Sequence, residues 1–197
     1  MCGPATTRAL VVNGSRTGSG PGMAAIRELE RLGTVGSLLG DQRVVVGQLG
    51  GLAPLARRIV QSLRRQGAIV IAVDDPDPAI QAHVANRFGA TVYLGLEARL
   101  EPGADIAYYA THAFQSAGGR ALANRIAVAL RGRLNAPEPQ VTGTRSTALR
   151  ETRMTAVVCS LGPVQPMIDG AALLSECLVG AVSEWAGSPS MAAAPTS

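Results

Sequence analysis

Residues 68–98 read AIVIAVDDPDPAIQAHVANRFGATVYLGLEA. Two β-branched, almost wholly apolar runs flank a segment with helix signals at both ends. Asp77 stands where an N-cap should, with Pro78 at the first helical position and Gly89 just past the last. The spacing predicts a helix between, with Ile80, Val84 and Phe88 as its inner stripe. The flanking strands lack an apolar–polar alternation, which is the pattern of strands buried on both faces.

The same alternation extends in both directions. Upstream, QRVVVGQLGG (42–51) predicts a buried strand that ends in a glycine turn. LAPLARRIVQSLRRQG (52–67) predicts a helix that turns Leu52, Leu55, Ala56, Ile59, Val60 and Leu63 inward. Arg57, Arg58, Arg64 and Arg65 then lie on its solvated face, a dock for an anionic partner at most. Downstream, DIAYYA (105–110) predicts a fourth strand and TAVVCSLG (155–162) a fifth. Ser116 should cap a helix over residues 118–134 with Leu122, Ile126, Ala129 and Leu130 inward. PEPQVTGTRS (137–146) reads as a loop. A last helix spans residues 168–185 and turns Leu174, Leu178, Ala181 and Trp185 inward. The fold class that follows is α/β, a mostly parallel sheet covered by helices on both faces. Residues 42–186 form its domain, 13–41 a Gly/Ser-rich linker with a short helix at 23–32, and 187–197 a disordered tail.

Composition narrows the function classes. Apolar residues are 47 % of the 197 and aromatics only 3 %, so the core is aliphatic. All 18 basic residues are arginine, and the formal net charge is +4. The arginines are scattered and aromatics for base stacking are scarce, which argues against nucleic acid as a partner. Cys2, Cys159 and Cys177 are too few and too far apart for a disulfide framework and read as free thiols in a reducing, cytoplasmic setting. No apolar run is long enough for a membrane span.

In a parallel sheet, ligands bind beyond the carboxyl ends of the strands. Those ends offer Gly47–Gly51, Asp74–Asp77, Glu97 and Cys159–Ser160. The glycines match no dinucleotide or P-loop pattern. Asp74, Asp75 and Asp77 suit a turn and a cap better than a hard cation. His83 lies on a helix near the apolar stripe. His112 follows the fourth strand and is the one histidine that a site with Glu97 could use. A zinc site needs three or four convergent ligands, and Glu97 with His112 supplies two. A Ser160–His112–Asp triad lacks the strained G-x-S-x-G elbow around its serine.

Three segments in order carry a family resemblance. They are IQAHVANRFGATVYLGLEA (80–98), GADIAYYATHAFQSAGGRALANRIAVAL (103–130) and LRETRMTAVVCSLG (149–162). Together, over about residues 42–186, they resemble the zinc-dependent N-acetylmuramoyl-L-alanine amidases (amidase_3-like) of the cell wall. Ala85-Asn86-Arg87-Phe88-Gly89-Ala90 matches that family's Ala-Asn-x-x-Gly-Ala. Leu149–Val158 matches its Leu-Arg-x-Thr-x-Met-Pro-Ala-Val-Leu. The resemblance implies a zinc cofactor whose ligands are not found here. A histidine ligand of the pattern falls on Glu97. The histidine before the glycines of the first strand is gone around Gly50, and the glutamate due at the next helix start is missing. The catalytic glutamate falls on Ser160.

The implied protein is therefore a degenerate amidase-like domain, a pseudoenzyme with no catalytic and no metal-binding residue. Its vestigial cleft is marked by Gly50, Glu97, His112 and Ser160. CGPATTRAL, within residues 1–12, is similar to the last helix of a peptidoglycan-binding domain. That layout is similar to the CwlM-type actinobacterial amidase-like regulators. Those proteins act in the cytoplasm through protein partners of peptidoglycan precursor synthesis, including the enolpyruvyl transferase at its start, under Ser/Thr phosphorylation. Thr196 is the matching candidate phosphosite. The alternatives are an amidase with a site rebuilt on Glu97 and His112, and a muropeptide-binding module without chemistry.

Overall fold

The computed structural model of the protein describes residues 39–188. The sequence readings at residues 1–12, 13–38 and 189–197, with Cys2 and Thr196, lie outside the described residues. A 3-10 turn at Leu39–Asp41 leads straight into the first strand. The strands are β1 (Arg43–Gln48), β2 (Ile69–Asp74), β3 (Val92–Ala98), β4 (Gly103–Tyr109), β5 (Gln140–Thr144) and β6 (Thr155–Gly162). The helices are α1 (Ala53–Arg65), α2 (Pro78–Phe88), α3 (Ala117–Leu130), α4 (Thr147–Glu151), α5 (Val164–Asp169) and α6 (Ala171–Gly187).

The strands form one sheet in the order β2-β1-β3-β6-β4-β5. β1, β2, β3 and β6 run parallel; β4 and β5 run parallel to each other and antiparallel to β6. Helices cover both faces, as the buried strands require. The larger core packs α1, α3 and α6 on one face through Leu55, Ile59, Leu63, Leu122, Ile126, Leu174, Leu178 and Trp185. Burying each of the fully enclosed Leu and Ile side chains contributes about 1.5–3 kcal/mol. A smaller core under α2 and α4 gathers Val45, Tyr93, Leu149, Met154 and Ala156.

The predicted stripes of α1 and α6 are the buried ones, whereas that of α2 is not. Ile80 is exposed, Val84 and Phe88 are half-buried, and the helix buries Gln81, Ala82 and Ala85 instead. β2, expected to be fully buried, is an edge strand with Ile69 exposed. Its neighbour Arg64 does more than face solvent: Nε and Nη2 donate to the Val70 carbonyl at 3.2 and 2.7 Å. Such capping blunts an edge open to further strand pairing. The loop expected at 137–146 contains β5, and a separate short helix, α5, precedes the last one.

Two of the sequence motifs meet in space. Asn86 Nδ2 donates to the Glu151 carbonyl at 2.8 Å, and Asn86 Oδ1 accepts from Arg153 N–H at 3.0 Å. One amide thus ties α2 to the turn between α4 and β6, 65–67 residues away in sequence. Asn86→Ala should cost about 0.5–1.5 kcal/mol, because water can reach the carbonyl and the N–H that lose their partner. A urea transition with a lowered midpoint and an unchanged slope would register that loss.

Candidate functional site

The carboxyl ends of β1, β3 and β6 define one edge of the sheet. Glu97 and Ser160 are register partners there, and Ser160 Oγ donates to Glu97 Oε2 at 2.8 Å. The β1–α1 loop is pinned beside them: Leu49 N–H donates to the Leu96 carbonyl at 2.8 Å, and Ala98 N–H to the Gly50 carbonyl at 3.2 Å. Gly51 is required at this turn. Its φ is +79°, and a Cβ there would lie 2.7 Å from that of Ala98.

Beneath the loop lies a buried polar network. Tyr93 Oη donates to Gln81 Oε1 at 2.7 Å; Gln81 Nε2 donates to the carbonyls of Gln48 at 2.9 Å and Asp75 at 2.5 Å. Gln48, with its amide turned to suit its neighbours, donates to Asp74 Oδ1 at 2.7 Å and accepts from Ala53 N–H at 3.2 Å. Burial pushes the Tyr93 phenol well above its ordinary value, so it stays a protonated donor. The network locks the β1–α1 and β2–α2 loops together. Asp75 and Asp77 serve that geometry: Asp75 Oδ1 accepts from Asp77 N–H and Asp77 Oδ1 from Ala79 N–H, both at 2.8 Å. The turn-and-cap role assigned to them from sequence is the one they play.

A recess of about 190 Å³ opens between these loops and the start of α4. Its walls are Leu49, Pro76, Pro78, Ala148 and Val158, with the Ser146 and Thr147 hydroxyl residues and Glu97 as its polar groups. Glu97 is exposed and makes no ion pair among the described residues.

His112 is elsewhere. β4 runs antiparallel to β6, so Tyr108 already sits beside Val157, three residues or about 10 Å back from Ser160, and His112 lies beyond that, exposed in the next loop. A site rebuilt on Glu97 and His112, and a Ser160–His112 dyad, are therefore not assembled. The expectation assumed a parallel fourth strand. At the His112 end a second recess of about 240 Å³ is lined by Tyr109, Phe114, Leu149, Met154 and the Arg150–Arg153 segment. His83 is exposed on α2. Cys159 is fully buried, with its thiol pushed up to about 12 by desolvation; Cys177 is half-buried, and burial raises its thiol too.

The residues at the cleft do not fit the zinc that the family pattern implies. Leu49 precedes the glycines, Ala53 opens α1, and only Glu97 at the β3 end carries a charged ligand atom, with a hydroxyl at Ser160. Among the described residues, no three His, Cys, Asp or Glu side chains converge where an ion could be held. Zinc needs three or four. Sequence reasoning missed Gln81 and the two prolines as shapers of this cleft. Pro-Asp-Pro after a strand was the available signal for a rigid wall.

No family model matches the chain, and no curated protein matches it in sequence. The fold does have relatives among solved structures. It is similar to N-acetylmuramoyl-L-alanine amidase AmiC2 of Nostoc punctiforme at 16 % identity and TM-score 0.55, covering 76 % of this chain and 98 % of that one. It is similar to the N-acetylmuramoyl-L-alanine amidase of Clostridium difficile 630 at 15 % identity and TM-score 0.59, covering 74 % and 97 %. The catalytic domain of CwlV, an N-acetylmuramoyl-L-alanine amidase from Bacillus (Paenibacillus) polymyxa, aligns at 17 % identity and TM-score 0.54, covering 73 % and 97 %. The chain thus has an amidase-like α/β fold, a six-stranded, mostly parallel sheet flanked by helices. No helix among the described residues is long and apolar enough to cross a membrane.

Proposed function

We propose that this chain is a non-catalytic amidase-fold protein that regulates peptidoglycan precursor synthesis in the cytoplasm by binding protein partners. The observation that carries the proposal is the donor set at the strand ends: one carboxylate, Glu97, held by one hydroxyl, Ser160, between walls of Leu49 and Val158. Such a set offers neither a zinc cage nor a base for a metal-bound water. The amidase-like fold of the solved neighbours supports a link to peptidoglycan. The order of motifs in the sequence supports the regulatory type, with the enolpyruvyl transferase that opens the precursor pathway as the first partner to try and Thr196 as a phosphosite.

Three measurements test it. Elemental analysis of the protein purified with zinc present should find substoichiometric metal, and incubation with muropeptides should release no peptide. An immobilised chain should retain the transferase. Stoichiometric zinc together with release of the peptide would overturn the proposal, and turnover of muropeptide would establish the amidase instead.

A further inference from the structure

We propose that the recess beside Glu97 receives the cationic head of an arginine or lysine side chain carried by a protein partner. The proposal deepens the partner-binding role above and rests on it. The recess is lined by apolar Leu49, Pro76, Pro78, Ala148 and Val158, by the hydroxyl residues Ser146 and Thr147, and by one carboxylate, Glu97. That is the complement of a side chain with an aliphatic stem and a charged tip. A volume of about 190 Å³ suits one side chain rather than a sugar–peptide.

The electrostatics point the same way. Ser160 occupies Glu97 Oε2 and leaves Oε1 open, while among the described residues no Arg or His lies within ion-pair distance of Glu97. Arg99, the nearest base in sequence, is taken by Asp105 on β4, with Glu101 at 4.0 Å. Arg145 precedes the rim residue Ser146 but does not line the recess. A carboxylate with one fixed oxygen and one open oxygen, against apolar walls, is a ready acceptor for a charge-assisted hydrogen bond from a guanidinium or ammonium. The walls are rigid. Pro78 opens α2 and Pro76 sits in a turn held by Asp75 and Gln81, so little order is lost when a ligand enters. The cleft that in the amidase pattern grips a divalent cation would here hold a monovalent one on the end of a side chain.

The test uses the full chain, ¹⁵N-labelled, and Nα-acetyl-arginine N-methylamide as probe, with the matching citrulline compound as its neutral isostere. The arginine probe should shift the amide signals of Leu49, Glu97 and Thr147. Its affinity should exceed that of the citrulline compound by about tenfold and fall by about tenfold in Glu97→Gln, which keeps the size of an exposed side chain. Added salt should weaken it. Equal shifts from citrulline, unchanged binding in E97Q, or shifts from muropeptide but none from the arginine probe would each overturn the proposal. If the transferase is retained while the arginine probe fails, the regulatory role stands and this site falls.

Discussion

Gly47→Ala should destabilise the fold by about 2–5 kcal/mol, out of the roughly 5–15 kcal/mol that a domain of this kind has. A Cβ at Gly47 would run into Gln81 Oε1 and lie 2.6 Å from Tyr93 Oη. Both atoms belong to the buried Tyr93–Gln81 hydrogen bond, and neither group has anywhere to retreat, since both are fully enclosed. The added methyl therefore costs twice, through overpacking and by parting a buried donor from its acceptor. Urea denaturation against Gly180→Ala reads the effect. Gly180 lies in α6, and a methyl group added there would meet nothing within 4 Å, so its substitution should be neutral or stabilise by up to about 1 kcal/mol. In a Gln81→Ala background, the cost of Gly47→Ala should shrink, because the two share a partner. If Gly47→Ala shifts the midpoint no more than Gly180→Ala does, the network is not arranged as described.

The strands and helices that bury Leu, Ile and Val were legible because apolar periodicity reports burial directly. The α1 stripe and the Leu174, Leu178, Ala181 and Trp185 face of α6 lie inward as their spacing implies. The α2 stripe failed for a physical reason. Tyr93 brings a hydroxyl into the core that needs an acceptor, and the carbonyls of Gln48 and Asp75 need a donor, so the helix turns Gln81 inward to serve all three and Ile80 out. Hydrophobic spacing carries no record of a buried polar demand. β5 was missed because QVTGT is short, half-exposed and follows two prolines.

The direction of β4 did have a signal. Only residues 99–102 separate β3 from β4, and a parallel return needs a crossover of a dozen or more. Reading that length would have moved His112 to the far edge and dissolved the pairing with Glu97. The motif residues tell a related story. Asn86 and the Glu151–Arg153 segment, which carried much of the resemblance, clamp α2 to β6 and lie away from the recess at Glu97. A scaffold can keep such pieces whatever becomes of its chemistry, so they speak for the fold and leave the activity to the residues at the strand ends.

Alkaline solution should unfold this protein earlier than its aliphatic core suggests. Cys159 is fully buried in β6, and its thiol is pushed up to about 12; the Tyr93 phenol is raised as well, by the same desolvation. In the unfolded chain they titrate near their ordinary values of 9.0 and 10.0. Below pH 9 both states keep both protons, and neither group makes stability depend on pH. Above it the unfolded chain releases a proton that the folded chain retains, so stability falls as pH rises, by about 1.4 kcal/mol per unit for each group. Cys159 acts from pH 9, with the raised thiol of half-buried Cys177 adding to it, and Tyr93 joins above pH 10; the two fully buried groups alone account for a loss of about 4 kcal/mol by pH 11. Lysine does not complicate the window, since the chain has none, and its 18 arginines stay charged throughout. Urea transitions under reducing conditions at pH 8, 9, 10 and 11 should show the slope. Cys159→Ala should remove most of the part that begins at pH 9, leaving the smaller share of Cys177, and Tyr93→Phe the part that begins at pH 10, though each loses some stability at pH 8. A Cys159→Ala variant with an unchanged slope between pH 9 and 10 would mean that the thiol is not held in a dry core, and the packing of β6 against α3 and α5 would have to be redrawn.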